Sequence, residues 1–355
     1  MISLAISLLF CSLSVSRAQL IPAAFTFGDS TVDAGNNDYL KTIFRANFPP
    51  YGRDFDTKQP TGRFSNGRTP SDYLAIDSGK CALFAAALLG LPLALPYLDP
   101  SAKGQNIVTG VNFATGGSGY LSETGATLNV PGLDGQLQWF KSYTQNLVKI
   151  VGKANATNII SQGVYTLSTG SNDYVANYYV NPLVQEKYSR NAFRSLLLSS
   201  FTQFTKALYS LGARRIAVVS MAPLGCLPSQ VTLYGKGSLS CVDFANRDAR
   251  LFNRALNSTV TSIRASLKDI KLAYIDIYPL VEDVIKNPSK NGFEQTTTGC
   301  CGIGRLAVSI LCNEHSIGTC SNASKYVFWD SFHPTSTMNQ LIANTAFNQG
   351  IGQLL

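Results

Sequence analysis

Ala23-Ala24-Phe25-Thr26-Phe27-Gly28-Asp29-Ser30 is a short apolar run that ends in a glycine, an acid and a serine. Its length and composition are those of a buried strand, and the glycine punctuates its end. In an open α/β sheet, side chains from several loops converge beyond the carboxyl ends of the strands. Ser30 stands where such a loop begins. A serine in that place often does no more than cap a helix. To act as a nucleophile at neutral pH it needs a base within reach.

The same rhythm recurs outward from this segment. Residues 110–114, 164–168, 215–220 and 272–277 read, with 23–27, as strands of four to six residues, and several end directly in glycine, serine or asparagine. Phe244, Phe252, Leu256, Val260, Ile263 and Leu267 recur at helical spacing, which predicts a helix over 242–267 laying one face on a sheet. Further helices are expected over 137–151 and 193–211, and one after Pro334, a residue suited to a first helical turn. This alternation predicts an α/β class. No repeat, low-complexity tract or Pro/Gly/Ser linker divides the chain, so 19–355 reads as one domain.

The 355-residue composition, 45% hydrophobic and 14% charged, is that of a packed globular protein rather than a disordered one. Residues 1–18 run apolar from Ile2 to Val15 and end Ser16-Arg17-Ala18, which reads as a signal peptide cleaved after Ala18, although no basic residue precedes the apolar run. The uncharged stretch 81–98 just reaches the length of a membrane span. Pro92 and Pro96 argue against a spanning helix, so no transmembrane segment is expected. The sequons at Asn155, Asn257 and Asn322 fit a passenger of the secretory route and are expected at the surface. The +8 formal charge is scattered, without the aromatic and basic interleaving that binds nucleic acid. It suits a solvated surface, and at most weak association with an acidic cell wall. A monomer is expected.

Export makes the cysteines legible as disulfides. Of eight, Cys11 leaves with the signal; Cys226 is expected to bridge Cys241, and Cys300, Cys301, Cys312 and Cys320 to pair among themselves. Cys81 is left over. The last four cysteines with His315 suggest zinc, but adjacent Cys300 and Cys301 fit one tetrahedral metal poorly. No metal and no cofactor is expected.

His315 and His333 are the two histidines in the chain. His333 follows Asp330 by three residues, a spacing that puts a carboxylate beside an imidazole, where it fixes the tautomer and stabilises the imidazolium. Such a pair by itself is usually structural. The Gly-x-Ser-x-Gly elbow of α/β-hydrolases is absent, and glycine-rich 115–119 lacks the Gly-Lys-Ser/Thr ending of a phosphate loop.

Four ordered blocks change those odds. The segment from Phe27-Gly28-Asp29-Ser30 to Asn37 resembles the opening block of the plant GDSL esterase/lipase family, part of the SGNH hydrolases. Gly110-Val111-Asn112 through Gly119 resembles the second block, Gly170-Ser171-Asn172-Asp173-Tyr174 the third, and Phe328-Trp329-Asp330-Ser331-Phe332-His333-Pro334 the last. The resemblance implies a flavodoxin-like, three-layer α/β/α sandwich with a mainly parallel central sheet. It also implies a secreted enzyme with Ser30 as nucleophile, Asp330 and His333 as acid and base, and an oxyanion hole from the Ser30 N–H, Gly117 and the Asn172 amide. Gly116 is the less favoured register. The substrate would be an acyl ester, whether lipid, polyester or acetylated polysaccharide. The chain departs from the family by about a dozen extra residues around 76–87. Two other functions remain open: an acyltransferase using the same acyl-enzyme, and a wall-binding glycoprotein without turnover. Tyr174, Tyr178 and Tyr179 are candidates for an acyl cleft, although tyrosines this dense more often pack.

Overall fold

The computed structural model describes residues 21–75 and 89–355. The expected signal peptide, Cys81 and the extra segment 76–87 all lie outside these described residues.

Four parallel strands form the central sheet: β1 (Ala24–Gly28), β2 (Val164–Ser168), β3 (Arg215–Val219) and β4 (Lys271–Ile275), in the order β1-β2-β3-β4. Parallel neighbours need long crossovers, and helices supply them. Phe25 and Phe27 alternate onto one face of β1, where they meet Phe140 of the Leu133–Val151 helix, and Phe27 also meets Phe204 of the Arg190–Ser210 helix. The Asp243–Ser266 helix packs on the Arg190–Ser210 helix and on β4, burying Phe252, Leu256, Val260 and Ile263. On the other face, the Ser336–Gln349 helix lies against β4 and against the short Pro70–Ala75 helix. Helices therefore flank a parallel sheet, as an α/β fold requires. Each buried Phe or Leu contributes about 1.5–3 kcal/mol, so the aromatic stack between β1 and its helices is a large part of what holds the layers together.

Two expectations are corrected. Residues 110–114 are not a strand: they run beside β1, with Phe113 N–H donating to Thr26 O at 2.8 Å, but form only isolated bridges at Asn112. The cause is local. The Asn112 carbonyl oxygen Oδ1 captures the Ala114 N–H at 2.9 Å, a side-chain turn that competes with a ladder. Pro334 does not open the last helix either; it pairs with Phe328 in a bridge, and Thr335 caps the helix by accepting the Met338 N–H.

The disulfides are Cys226–Cys241, Cys300–Cys320 and Cys301–Cys312. The latter two knot the region between β5 (Gln295–Gly299) and β6 (Tyr326–Phe328), a second parallel pair. Around this knot, Tyr51, Phe64, Trp329 and the cysteines form a small core of their own. Among the described residues no helix is long and apolar enough to cross a membrane.

Candidate active site

β1 delivers Ser30, and Gly28 lets it do so. Gly28 has φ +137°, and a Cβ there would lie 1.9 Å from the Ser168 carbonyl oxygen. Only glycine permits the ends of β1 and β2 to come this close. Gln136, fully buried, clasps the same residue from the Leu133–Val151 helix: its Oε1 accepts the Gly28 N–H at 3.0 Å and its Nε2 donates to Gly28 O at 2.8 Å. The chain then turns, with the N–H groups of Val32 and Asp33 donating to Asp29 O. Inside the turn the Asp29 carboxylate accepts the Thr31 N–H and hydroxyl at 3.0 and 2.7 Å. Burial pushes the Asp29 pKa up, against the pull of those bonds.

β6 delivers the other half. Just beyond it, Asp330 Oδ1 accepts the N–H groups of Phe332 and His333 at 2.9 and 2.8 Å, which holds the turn shut. His333 Nδ1 lies 2.9 and 2.8 Å from the two carboxylate oxygens of Asp330, and its Nε2 lies 2.7 Å from Ser30 Oγ. The Ser30 and His333 side chains are brought together across 303 residues of chain. All three residues are buried, at 5% exposure for Ser30, 0% for Asp330 and 3% for His333. With Nδ1 protonated toward the carboxylate, Nε2 is the acceptor that faces the serine proton.

Asn172 follows β2 and enters a π-helical turn, Asp173–Tyr178; its Nδ2 donates to Ser118 O at 2.9 Å. Asp173 fastens the same loop by accepting from Tyr120 N–H, Leu121 N–H and the Thr124 hydroxyl, and burial raises its pKa to about 7. Gly117 has φ +89°, and its N–H has no acceptor among the described residues. The Gly116 N–H is engaged by Asn37 Oδ1 at 2.9 Å and Asp33 Oδ2 at 3.2 Å. Of the two glycines, then, only Gly117 keeps its donor unspent. The Ser30 N–H is likewise without an acceptor among the described residues.

Ser30, Asn172 and His333 line one cavity, whereas Gly117 stands outside its lining. The cavity is polar at one end, where Thr31, Ser168 and Thr169 join them, and apolar along Val219, Ile277, Val281, Met338, Ile342 and Ala346. The candidate tyrosines are not part of it: Tyr174 and Tyr178 are buried against Phe193 in an aromatic cluster. His315 is exposed beside Glu314. Asn155, Asn257 and Asn322 are all exposed.

Sequence reasoning missed Gln136 and Tyr51. Gln136 sits among the apolar positions of an amphipathic helix with nothing to mark its partner. Tyr51, in Pro49-Pro50-Tyr51-Gly52, donates to Asp330 Oδ2 at 2.8 Å from 279 residues away. Only the folded chain shows either contact.

Comparison with known proteins agrees with this geometry. The family model described as GDSL-like Lipase/Acylhydrolase matches residues 25–346. The Arabidopsis thaliana protein named GDSL esterase/lipase APG is 44% identical over 344 residues, covering 96% of this chain and 94% of its own. Another from the same plant, GDSL esterase/lipase At3g53100, is 42% identical and covers 98% of this chain and 95% of its own. A strand that ends in Gly-Asp-Ser, a remote Asp-x-x-His that meets that serine, and similarity along nearly the whole length together place this chain in the GDSL-like lipase/acylhydrolase family.

Proposed function

We propose that the protein is a secreted serine esterase that cleaves carboxylic esters through an acyl-enzyme on Ser30. The observation that carries this reading is the 2.7 Å approach of His333 Nε2 to Ser30 Oγ, backed by Asp330 on Nδ1, at the polar end of a largely apolar cavity. The names of the relatives, esterase/lipase, support the same class of reaction.

His333 takes the Ser30 proton as Oγ attacks the ester carbonyl, and the imidazolium formed is stabilised by Asp330. The Ser30 N–H, the Gly117 N–H and the Asn172 amide are the donors assigned to the oxyanion. The alkoxide leaves with the proton from His333. Water, deprotonated by the same imidazole, then attacks the acyl-enzyme and returns Ser30 to its starting state. The apolar stretch of the cavity suits the acyl group of such an ester. The apolar N-terminus, the disulfides and the exposed sequons support export.

The test is labelling with a fluorophosphonate, together with hydrolysis of p-nitrophenyl butyrate, by wild type and Ser30→Ala. Wild type should be labelled once, on Ser30, and turn over; Ser30→Ala should do neither. An unlabelled, inactive wild type, or a Ser30→Ala variant as active as wild type, would sink the proposal.

A further inference from the structure

Asp330 has two oxygens, and they are held differently. Oδ1 accepts two backbone N–H groups from its own turn, at 2.9 Å from Phe332 and 2.8 Å from His333. Oδ2 is met by the imidazole and by one other donor among the described residues, the hydroxyl of Tyr51 at 2.8 Å. Tyr51 is 1% exposed and Asp330 0%, so bulk water does not compete for this bond.

The direction of the bond follows from its neighbours. The Ser309 N–H donates to the same Tyr51 oxygen at 2.8 Å, and a carboxylate is an acceptor only. The phenolic proton therefore goes to Asp330, in a chain running Ser309 N–H, Tyr51 O–H, Asp330, His333, Ser30. Burial and the facing carboxylate both push the phenol well above its ordinary pKa, which keeps it a donor. Ser309 is itself pinned: its hydroxyl donates to Arg45 O at 2.8 Å and accepts the Arg45 N–H at 2.9 Å. It also lies within the loop closed by Cys301–Cys312, whose Cys301 N–H donates to Trp329 O, next to Asp330.

We propose that Tyr51 is a positioning residue for the reaction: by holding Oδ2 of Asp330 it sets the orientation and the basicity of His333. This rests on the serine esterase reading above. A carboxylate that accepts a strong hydrogen bond is a weaker base, so it pulls less strongly on the proton of the imidazole beside it. Remove the phenol, and the imidazole should hold its proton more tightly and be less well aimed.

The experiment is the pH profile of kcat/KM for p-nitrophenyl butyrate with the full-length protein, comparing wild type, Tyr51→Phe and Phe48→Leu. Phe48 packs edge-on to Tyr51, with ring centroids 5.9 Å apart, so Phe48→Leu perturbs the same small core while the Tyr51 hydroxyl stays. Tyr51→Phe should lower kcat by roughly tenfold or more, as expected for losing one hydrogen bond to a charged group. KM should stay within about twofold, and the acid limb should move to higher pH by up to about one unit. Phe48→Leu should lower the melting temperature and leave the limb in place. If Tyr51→Phe keeps the wild-type kcat and limb, or if Phe48→Leu moves the limb equally, the inference is overturned. Should Tyr51→Phe fail to fold, protein made with 3-fluorotyrosine, a stronger donor, must move the limb to lower pH; an unmoved limb overturns the inference too. A wild type that neither turns over nor accepts the fluorophosphonate overturns the esterase reading instead.

Discussion

Asn172 holds the carbonyl of Ser118: its Nδ2 donates to that oxygen at 2.9 Å, joining the loop after β2 to the glycine-bearing loop of Gly117. One N–H of the amide is spent on this bond; the proposed mechanism assigns the other to the substrate oxyanion. On the proposed mechanism, Asn172→Ala should lower kcat by about a hundredfold or more, because one oxyanion donor is worth about 3 kcal/mol in the transition state. KM should change little. Steady-state kinetics checks the split, and fluorophosphonate labelling of Ser30 should persist at a reduced rate. Equal losses through KM alone would argue that Asn172 binds the ground state instead.

The apolar cavity wall predicts chain-length preference. Met338, Ile342 and Ala346 recur at i, i+4 and i+8 along one face of the Ser336–Gln349 helix, a lining about 12 Å long at 1.5 Å per residue. An octanoyl ester should therefore be turned over with higher kcat/KM than an acetyl ester. Ala346→Phe fills that lining and should lower kcat/KM for the octanoate by about tenfold while sparing the acetate, as differential burial of a few methylenes allows. Parallel assays on acetate, butyrate and octanoate check it. An enzyme indifferent to chain length in both forms would refute the assignment.

The strands were legible because each is a short apolar run closed by a small residue, and the long helices because their apolar positions recur every three or four residues. Val164–Ser168 and Asp243–Ser266 fall where those patterns put them, to within a residue or so. The 110–114 segment misled because its apolar residues are buried as a strand's would be, while the Asn112 side chain diverts the ladder. Ser30, Asp330 and His333 stood out because the chain has so few histidines and because four motifs occur in order. Gln136 and Tyr51 did not. Each acts through hydrogen bonds to remote partners, and a single polar side chain carries no period.

The Cys226–Cys241 bridge closes a loop with a sequence separation of 15, just ahead of the Asp243–Ser266 helix. A loop of this size restricts the unfolded chain by about 3 kcal/mol. Its removal in Cys226→Ala/Cys241→Ala should lower the thermal midpoint by several degrees while kcat at 25 °C stays within about twofold, since neither residue touches Ser30, Asp330 or His333. Calorimetry and esterase assay check the pair of outcomes. A loss of activity without a loss of stability would contradict it.

Asp38 should make the fold less stable as pH rises. Its side chain is half-buried beside Asp33, and its Oδ1 has no hydrogen-bond partner among the described residues. Burial, then the Asp33 charge, raise its pKa to about 7 against the attraction of Arg45 and Arg63. The folded state thus holds a proton between the unfolded value of about 4 and pH 7 that the unfolded chain has released. Stability from this group is present in full below that unfolded value and is lost as pH climbs through about 7. Asp33, raised by burial to about 6, acts in the same sense. The melting temperature should therefore fall between pH 5 and pH 8, and Asp38→Asn, which cannot ionise, should show a smaller fall. Thermal melts of both proteins across that range check the sign; equal slopes would show that Asp38 does not titrate in this window.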